Sequence, residues 1–74
     1  MPKLPVISGP ECVSALQRAG FVFDRQDGSH VTLVRRDAHV TVPCHGGRDL
    51  KPGTLRNIIR QAGLTVEEFV ELLR

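Results

Sequence analysis

The residue types best suited to chemistry in this 74-residue chain are found in the tripeptide Gly28-Ser29-His30. Histidine is the one side chain whose unperturbed pKa, about 6.5, lets it both take and give a proton near neutral pH. Glycine lets the backbone turn tightly, and a strand behind the turn would hold the imidazole of His30 still. The tripeptide makes His30 a candidate for proton transfer, against the alternative of an exposed strand histidine without a role.

RNA cleavage is one reaction that a fixed histidine could support. The reaction needs a base for the 2′-hydroxyl, an acid for the leaving 5′-oxygen and positive charge around the phosphate. Ser29 is a weak candidate for a nucleophile, because no third group at a recognisable spacing completes a triad with Ser29 and His30. A hydrogen bond within the turn is its expected role.

Two further histidines have roles that the sequence leaves open. His39 is either a second proton-transfer group or, as favoured here, a polar cross-strand neighbour of Thr32 or His30. His45 lies in a glycine-rich connection and could approach a phosphate. His39, Cys44 and His45 lack the paired spacing of structural zinc sites, and no carboxylate cluster suggests magnesium, so neither metal is expected.

Basic residues that could hold phosphate are spread along the chain. Lys51 precedes Pro52 at a predicted helix start, where free N–H groups favour an anion, although a solvated helix start is at least as good a reading. Arg56 and Arg60 are four residues apart on the same helix and form one basic ridge. The remaining candidates for this patch are Arg25, Arg35, Arg36 and Arg48.

The elements that must position these residues begin with a helix. Ser8 and Glu11 form a capping box with Pro10 in the first turn, and Gly20 ends the helix. Its apolar stripe consists of Cys12, Val13, Leu16 and Ala19.

The period changes to two from Phe21 onward, which predicts three short antiparallel strands joined by turns at Asp27-Gly28 and Arg36-Asp37. Phe21 and Phe23 should share a face. The face predicted to pack on the helices carries Val31, Leu33, Val40 and Val42. The opposite, wetter face is expected to carry His30, Thr32, His39 and Thr41.

Two more helices follow the strands. The second begins near Pro52 and ends at Gly63, with an apolar stripe of Leu55, Ile58, Ile59 and Ala62. A capping box of Thr65 and Glu68 opens a short last helix, in which the inward-facing residues are Val66, Phe69, Val70 and Leu73. The predicted fold is α+β, two layers in the order α-β-β-β-α with a short C-terminal helix, which is also the order of a double-stranded-RNA-binding domain.

Composition sets the broad class of protein. Its 41% apolar and 24% charged residues predict one small globular domain over residues 1–74. No stretch reaches the roughly 20 apolar residues of a membrane helix, and Met1-Pro2-Lys3 does not open a signal peptide, so the cytoplasm is the expected compartment. Cys12 and Cys44 form no CxxC pair and are expected to be reduced thiols.

The charge distribution allows a polyanionic partner. Residues 1–63 carry nine Lys/Arg and five Asp/Glu, a balance of +4, whereas residues 64–74 carry one Arg and three Glu, a balance of −2. Three Phe and no Trp or Tyr supply few platforms for stacked bases. Any contact with nucleic acid should therefore use phosphates, hydroxyls and shape.

Several of these segments together resemble the HicA toxins. The resemblance is carried by Gly28-Ser29-His30, by Val40-Thr41-Val42-Pro43 followed by His45, and by the run Leu50-Lys51-Pro52-Gly53-Thr54-Leu55-Arg56-Asn57-Ile58-Ile59-Arg60-Gln61-Ala62-Gly63-Leu64 with Glu67-Glu68-Phe69 behind it. It extends from Ser8 to Leu73.

The resemblance implies a fold like that of double-stranded-RNA-binding domains and the activity of a messenger-RNA interferase, the toxin of a type II toxin–antitoxin module. It implies that His30 is the single general acid/base, that no metal or other cofactor is needed, and that a HicB-type antitoxin covers His30. The residues expected to contact RNA are Gly28, Ser29, Arg25, Arg35, Arg36, Arg48, Lys51 and Arg56. The alternatives are a non-catalytic RNA-binding module of the same fold and a degenerate relative that only binds a protein partner.

Overall fold

Three helices and a three-stranded antiparallel sheet account for most of residues 3–74, the part of the chain that the structure, a computed structural model, describes. Met1 and Pro2, which entered the signal-peptide argument, lie outside the described residues. The elements are α1 (Gly9–Arg18), β1 (Val22–Asp27), β2 (His30–Arg35), β3 (Ala38–Pro43), α2 (Pro52–Gln61) and α3 (Val66–Leu72). The predicted α+β order with a short C-terminal helix is confirmed. None of the helices within residues 3–74 has the length and apolar character needed to cross a membrane.

Both predicted capping boxes are present. At α1, the backbone N–H of Glu11 donates to Ser8 Oγ (3.3 Å), and the Ser8 N–H donates to the Glu11 carboxylate (3.0 Å). The Ser8 N–H and the Ser8 hydroxyl, which also donates to the Glu11 carboxylate (3.0 Å), hold the pKa of Glu11 below its usual value. At α3, Thr65 and Glu68 exchange the same pair of bonds at 3.1 and 2.8 Å. Each box satisfies N–H groups that have no partner inside the helix, which fixes where the helix begins.

The sheet has the order β1-β2-β3, and its two hairpin turns set the register. The inner face packs against α1 and α2 through Val31, Leu33, Val40 and Val42, all buried as predicted. On the outer face Thr32 lies opposite Thr41, and their hydroxyls are 3.3 Å apart. His39 lies opposite Val34, so its predicted position across from Thr32 or His30 is wrong, because the two-residue turn after β2 fixes a different pairing.

The core lies between the sheet and the helices. From α1 and α2 it takes Cys12, Leu16, Leu55, Ile58 and Ile59, with Phe69 of α3 fully buried beside them. Gly63, at φ 74°, ends α2 as predicted. The short helix α3 departs from its predicted inner face at one residue.

Val70 was expected to face inward, but it lies beside Glu67 and Glu71, whereas Leu72 packs against the core. Each residue of an α-helix is rotated by about 100° from the one before it, so Val70 points away from the direction of the fully buried Phe69. Leu72, three residues after Phe69, lies on nearly the same side of the helix as Phe69 and packs against the core. Arg18 of α1 donates to the carbonyl oxygen of Leu72 (2.7 Å), which holds the C-terminal end of α3 against α1.

Strand β1 lies at one edge of the sheet, and all six of its residues are exposed. The pairing passes from Phe23 opposite Leu33 to Arg25 opposite Thr32, which leaves Asp24 as an irregularity without a partner. Phe21, just before the strand, is buried, whereas Phe23 is 53% exposed although it lies on the same inner face. The edge position explains the difference, because no further strand covers Phe23.

Candidate active site

His30 is the first residue of β2 and lies exposed on the outer face of the sheet, as predicted. Gly28 has φ 59°, a left-handed conformation that glycine adopts at little cost, so the chain reverses over Gly28 and Ser29 alone. The register places His30 directly between Asp27 on β1 and Pro43 on β3. The imidazole is therefore fixed by a paired strand at the end of the sheet where the first turn lies.

A hydrogen bond at this turn brings a second histidine to His30. The backbone N–H of Cys44 donates to the carbonyl oxygen of Ser29 (2.6 Å), which continues the β2–β3 pairing past Pro43. His45 follows, and its ring centroid lies 6.2 Å from that of His30 with the ring planes at 81°. His39 is opposite Val34, four residues along β2 from His30, or roughly 13 Å at the usual rise per residue.

The N-terminus of α1 packs directly against the segment that carries His45. A Cβ atom on Gly9 would lie 2.5 Å from the carbonyl oxygen of Pro43 and 2.8 Å from the Cα of Cys44. Both are backbone atoms, which cannot rotate away as a side chain would. Glycine at position 9 therefore lets α1 and the end of β3 approach closely.

A groove of about 280 Å³ lies beside His45, at the start of α2. Lys51 is the N-cap residue of α2 and makes no side-chain capping bond, so the helix begins without a side-chain partner for its first N–H groups. These N–H groups, together with the positive charges of Lys51 and Arg48, favour an anion. The groove is lined by Pro43, His45, Arg48, Asp49, Leu50, Lys51 and Thr54.

Backbone contacts fix the connection that forms this groove. The N–H of Leu50 donates to the carbonyl oxygen of Ile7 (2.8 Å), and Ser8 forms an isolated antiparallel bridge with Asp49. Within the connection, the Arg48 N–H donates to the carbonyl oxygen of His45 (3.2 Å). The glycine-rich connection between β3 and α2 is thus tied to the residues that precede α1.

Two of the predicted basic residues lie at the far end of the hairpin. Arg35 donates to the carbonyl oxygen of Ala19, and its guanidinium carbon lies 5.2 Å from the ring centre of Phe21. Arg36 occupies the β2–β3 turn with φ 54°. His30 begins the six-residue strand β2 and this turn follows its end, so the two are separated by roughly 17 to 20 Å at the usual rise. Arg35 joins the sheet to the end of α1, and neither arginine belongs to the groove.

The other basic residues are nearer or fully exposed. Arg25 lies opposite Thr32 on the face that carries His30, and its Nε is 3.5 Å from Asp27 Oδ2. Both partners are well exposed, so this ion pair contributes little to stability. Arg56 is exposed on α2 and does not line the groove. Of the basic residues named from the sequence, the groove contains Arg48 and Lys51.

The placement of His45 and Asp27 beside His30 was not predicted. The signal lay in the second turn: two residues at positions 36 and 37 pair residue 35 with 38 and therefore residue 30 with 43. His45 follows Pro43 by two residues, and this places it next to the first turn. The first turn was predicted at Asp27-Gly28, which would have placed Arg25 across from His30. The loop lies one residue later, at Gly28-Ser29, so Asp27 is the residue across from His30.

The cysteines do not belong to this chemistry. Both are free thiols, and burial raises the pKa of Cys12 to about 12 and raises that of Cys44 as well. A thiol must ionise to act as a nucleophile, so neither is activated. Over residues 3–74, His, Cys, Asp and Glu side chains form no group of three suited to a metal ion.

Comparison with known proteins assigns the chain to a family. The model of a family described as the HicA toxin of bacterial toxin–antitoxin systems matches residues 9–64, which is more than half of the chain. The chain belongs to the HicA toxin family. A search of curated proteins found no match.

The HicA match extends from the first residue of α1 to just beyond α2. It therefore contains the Gly28-Ser29-His30 turn, His45 and the groove at Lys51, whereas α3 lies outside it. Membership gives this protein the role of a toxin and implies an antitoxin partner.

Proposed function

We propose that this HicA toxin is a metal-independent endoribonuclease that cleaves messenger RNA in the cytoplasm, with His30 as a general acid/base. The observation that carries the proposal is the position of His30. It is an exposed imidazole fixed at the start of β2, beside His45 and next to a groove that contains Arg48 and Lys51. A group that transfers protons and charges that attract phosphate are the two requirements of RNA cleavage.

The chain's own residues suggest how the reaction runs. A phosphate in the groove would meet Lys51, Arg48 and the N-terminus of α2, all of which stabilise negative charge. His30 would then assist attack by the RNA's own 2′-hydroxyl on the phosphorus atom. The products would be a 2′,3′-cyclic phosphate and a free 5′-hydroxyl.

The outer face of the sheet offers a path for the RNA strand to His30. No helix within residues 3–74 covers this face, since α1 and α2 pack against the other one. Thr32 and Thr41 place hydroxyls in the row next to His30, and Arg25 lies opposite Thr32. These groups suit contacts with phosphates and 2′-hydroxyls rather than stacked bases.

We further propose that the antitoxin partner is of the HicB type and covers His30. The exposure of His30 makes direct occlusion possible without any movement of the toxin. A partner that presents acidic groups to Arg48 and Lys51 would occupy the phosphate position as well.

A cleavage assay tests the proposed function. Purified wild-type toxin is incubated with a defined messenger RNA in excess chelator, with and without its partner, and the new ends are analysed. Cleavage that persists in chelator and leaves cyclic phosphate and 5′-hydroxyl ends is the expected result. RNA binding without any cleavage would instead support the non-catalytic module, and cleavage that needs an added divalent metal would contradict the proposal.

Removing the charge of Lys51 is expected to weaken RNA binding. In Lys51→Gln one phosphate contact is lost, so the slope of log K against log salt concentration becomes shallower by roughly 0.7 to 0.9. The measurement is RNA affinity over a series of salt concentrations. Arg36→Gln is the matched comparison, since Arg36 is also a basic residue but lies in the turn at the far end of β2. Equal effects of the two variants would argue against a phosphate site at the groove.

A further inference from the structure

Two imidazole rings lie close together at the candidate active site, and the scheme with a single histidine uses only one of them. The centroids of His30 and His45 are 6.2 Å apart, with the ring planes at 81°. We propose that His45 is a second catalytic residue, and that the two histidines divide the two proton transfers of RNA cleavage. This inference rests on the proposed function.

The separation of the rings suits this division. In an in-line displacement the attacking and leaving oxygens lie on opposite sides of the phosphorus atom. One imidazole held by a paired strand cannot reach both oxygens at once. Two rings with centroids 6.2 Å apart are too distant to hydrogen-bond each other directly. An acid or base must come within about 2.6–3.2 Å of the oxygen it serves, and a phosphate group placed between the rings would present one oxygen to each.

The step balances with the two histidines alone. One neutral imidazole takes the proton of the 2′-hydroxyl as the bond between O2′ and phosphorus forms. The other, as imidazolium, gives its proton to O5′ as the bond between phosphorus and O5′ breaks. The two rings finish with exchanged protonation states, and solvent restores them before the next cycle.

The backbone holds both rings in place. His30 is paired on both sides by Asp27 and Pro43, and His45 follows the hydrogen bond from Cys44 to Ser29. The charged side chains around the two rings come from three segments. Asp27 of β1 lies across from His30. Arg48 and Asp49 of the connection and Lys51 at the start of α2 line the groove with His45.

A role in holding phosphate is the competing explanation for His45, because it lines the same groove as Lys51. The two explanations differ in one observable. Proton transfer to a leaving oxygen becomes unnecessary when the leaving atom is sulfur, since a thiolate departs without a proton. Phosphate holding is needed for either leaving atom.

The test compares wild type, His30→Ala, His45→Ala and His45→Gln on two RNAs that differ only in one scissile linkage, with oxygen or sulfur at the 5′ position. His39→Ala is the matched control, since it removes an exposed histidine from the same sheet face away from the groove. A thermal melt of each variant identifies any that is not folded. The dependence of kcat/KM on pH is measured for each.

Wild type and His39→Ala are expected to show a bell-shaped profile on the oxygen linkage. His45→Ala and His45→Gln should each lose about 10²–10⁴-fold in kcat/KM and one limb of that profile. On the sulfur linkage, one of the alanine variants, at position 30 or 45, recovers activity, and that variant identifies the acid. Unchanged kcat/KM in the position-45 variants would overturn the role of His45 while the proposed function stands. So would an equal loss of kcat/KM on the oxygen and sulfur linkages with both limbs of the pH profile retained. A wild-type protein that cleaves neither RNA would overturn both.

Discussion

Purified His30→Ala toxin is expected to cleave messenger RNA about 10²–10⁴-fold more slowly than wild type, and its expression should no longer arrest growth. The substitution removes the imidazole and leaves the strand intact. His30 is exposed and its side chain takes no part in the core, so the free energy of unfolding should change little. Loss of activity with unchanged stability would then report on chemistry. The measurements are RNA decay after induction and a cleavage assay with purified protein.

His39→Ala serves as the control for this experiment. His39→Ala also removes an exposed histidine side chain from the outer face of the sheet. His39, however, lies opposite Val34 and not beside the groove. The His39→Ala protein should retain wild-type toxicity. Equal toxicity of wild type and a well-folded His30→Ala protein would rule out the catalytic role of His30.

Gly9→Ala is expected to destabilise the protein by about 1–3 kcal/mol or more, which is opposite in sign to the usual effect of this substitution in a helix. The added methyl carbon would meet the backbone of Pro43 and Cys44 at 2.5 and 2.8 Å. Either α1 or the end of β3 must move. The second movement would also disturb the hydrogen bond from Cys44 to Ser29, on which the position of His45 depends. Urea unfolding measures the loss of stability, and RNA cleavage by the folded fraction measures the disturbance at His45.

Gly53→Ala is the matched control for Gly9→Ala. Gly53 also lies in the first turn of a helix, but no atom lies within 4 Å of where its Cβ would be. Alanine there should stabilise the protein by about 0.5–1 kcal/mol. A Gly9→Ala protein as stable as wild type would show that the contact with β3 relaxes at no cost.

Local patterns were enough to predict most of the fold. Ser8 with Glu11 and Thr65 with Glu68 bond within four residues, so their capping boxes can be inferred without knowledge of distant contacts. Alternation likewise predicts which side chains of β2 and β3 are buried. Val70 was misassigned because the burial of α3 depends on its contacts with α1, which no local pattern encodes.

The candidate site was predicted only in part for the same reason. His30 and Lys51 follow from a turn and a helix start, both of which are local features. The position of His45 depends on the hairpin register and on the bond from Cys44 to Ser29, and the basic patch depends on where the strands end. Arg35 and Arg36 were candidates for that patch because of their position at the second turn, and the length of β2 separates them from His30.

The exposed edge strand β1 affects the tendency of this protein to self-associate. An edge strand offers unpaired N–H and C=O groups to any second chain that can align with it. Here the irregularity at Asp24 interrupts the even spacing such a chain would need, and Asp24, Arg25 and Asp27 place three charges within four residues. Val22 and Phe23 are exposed apolar side chains next to that interruption. The edge strand that no further strand covers is thus charged and uneven, which opposes self-association into larger sheets.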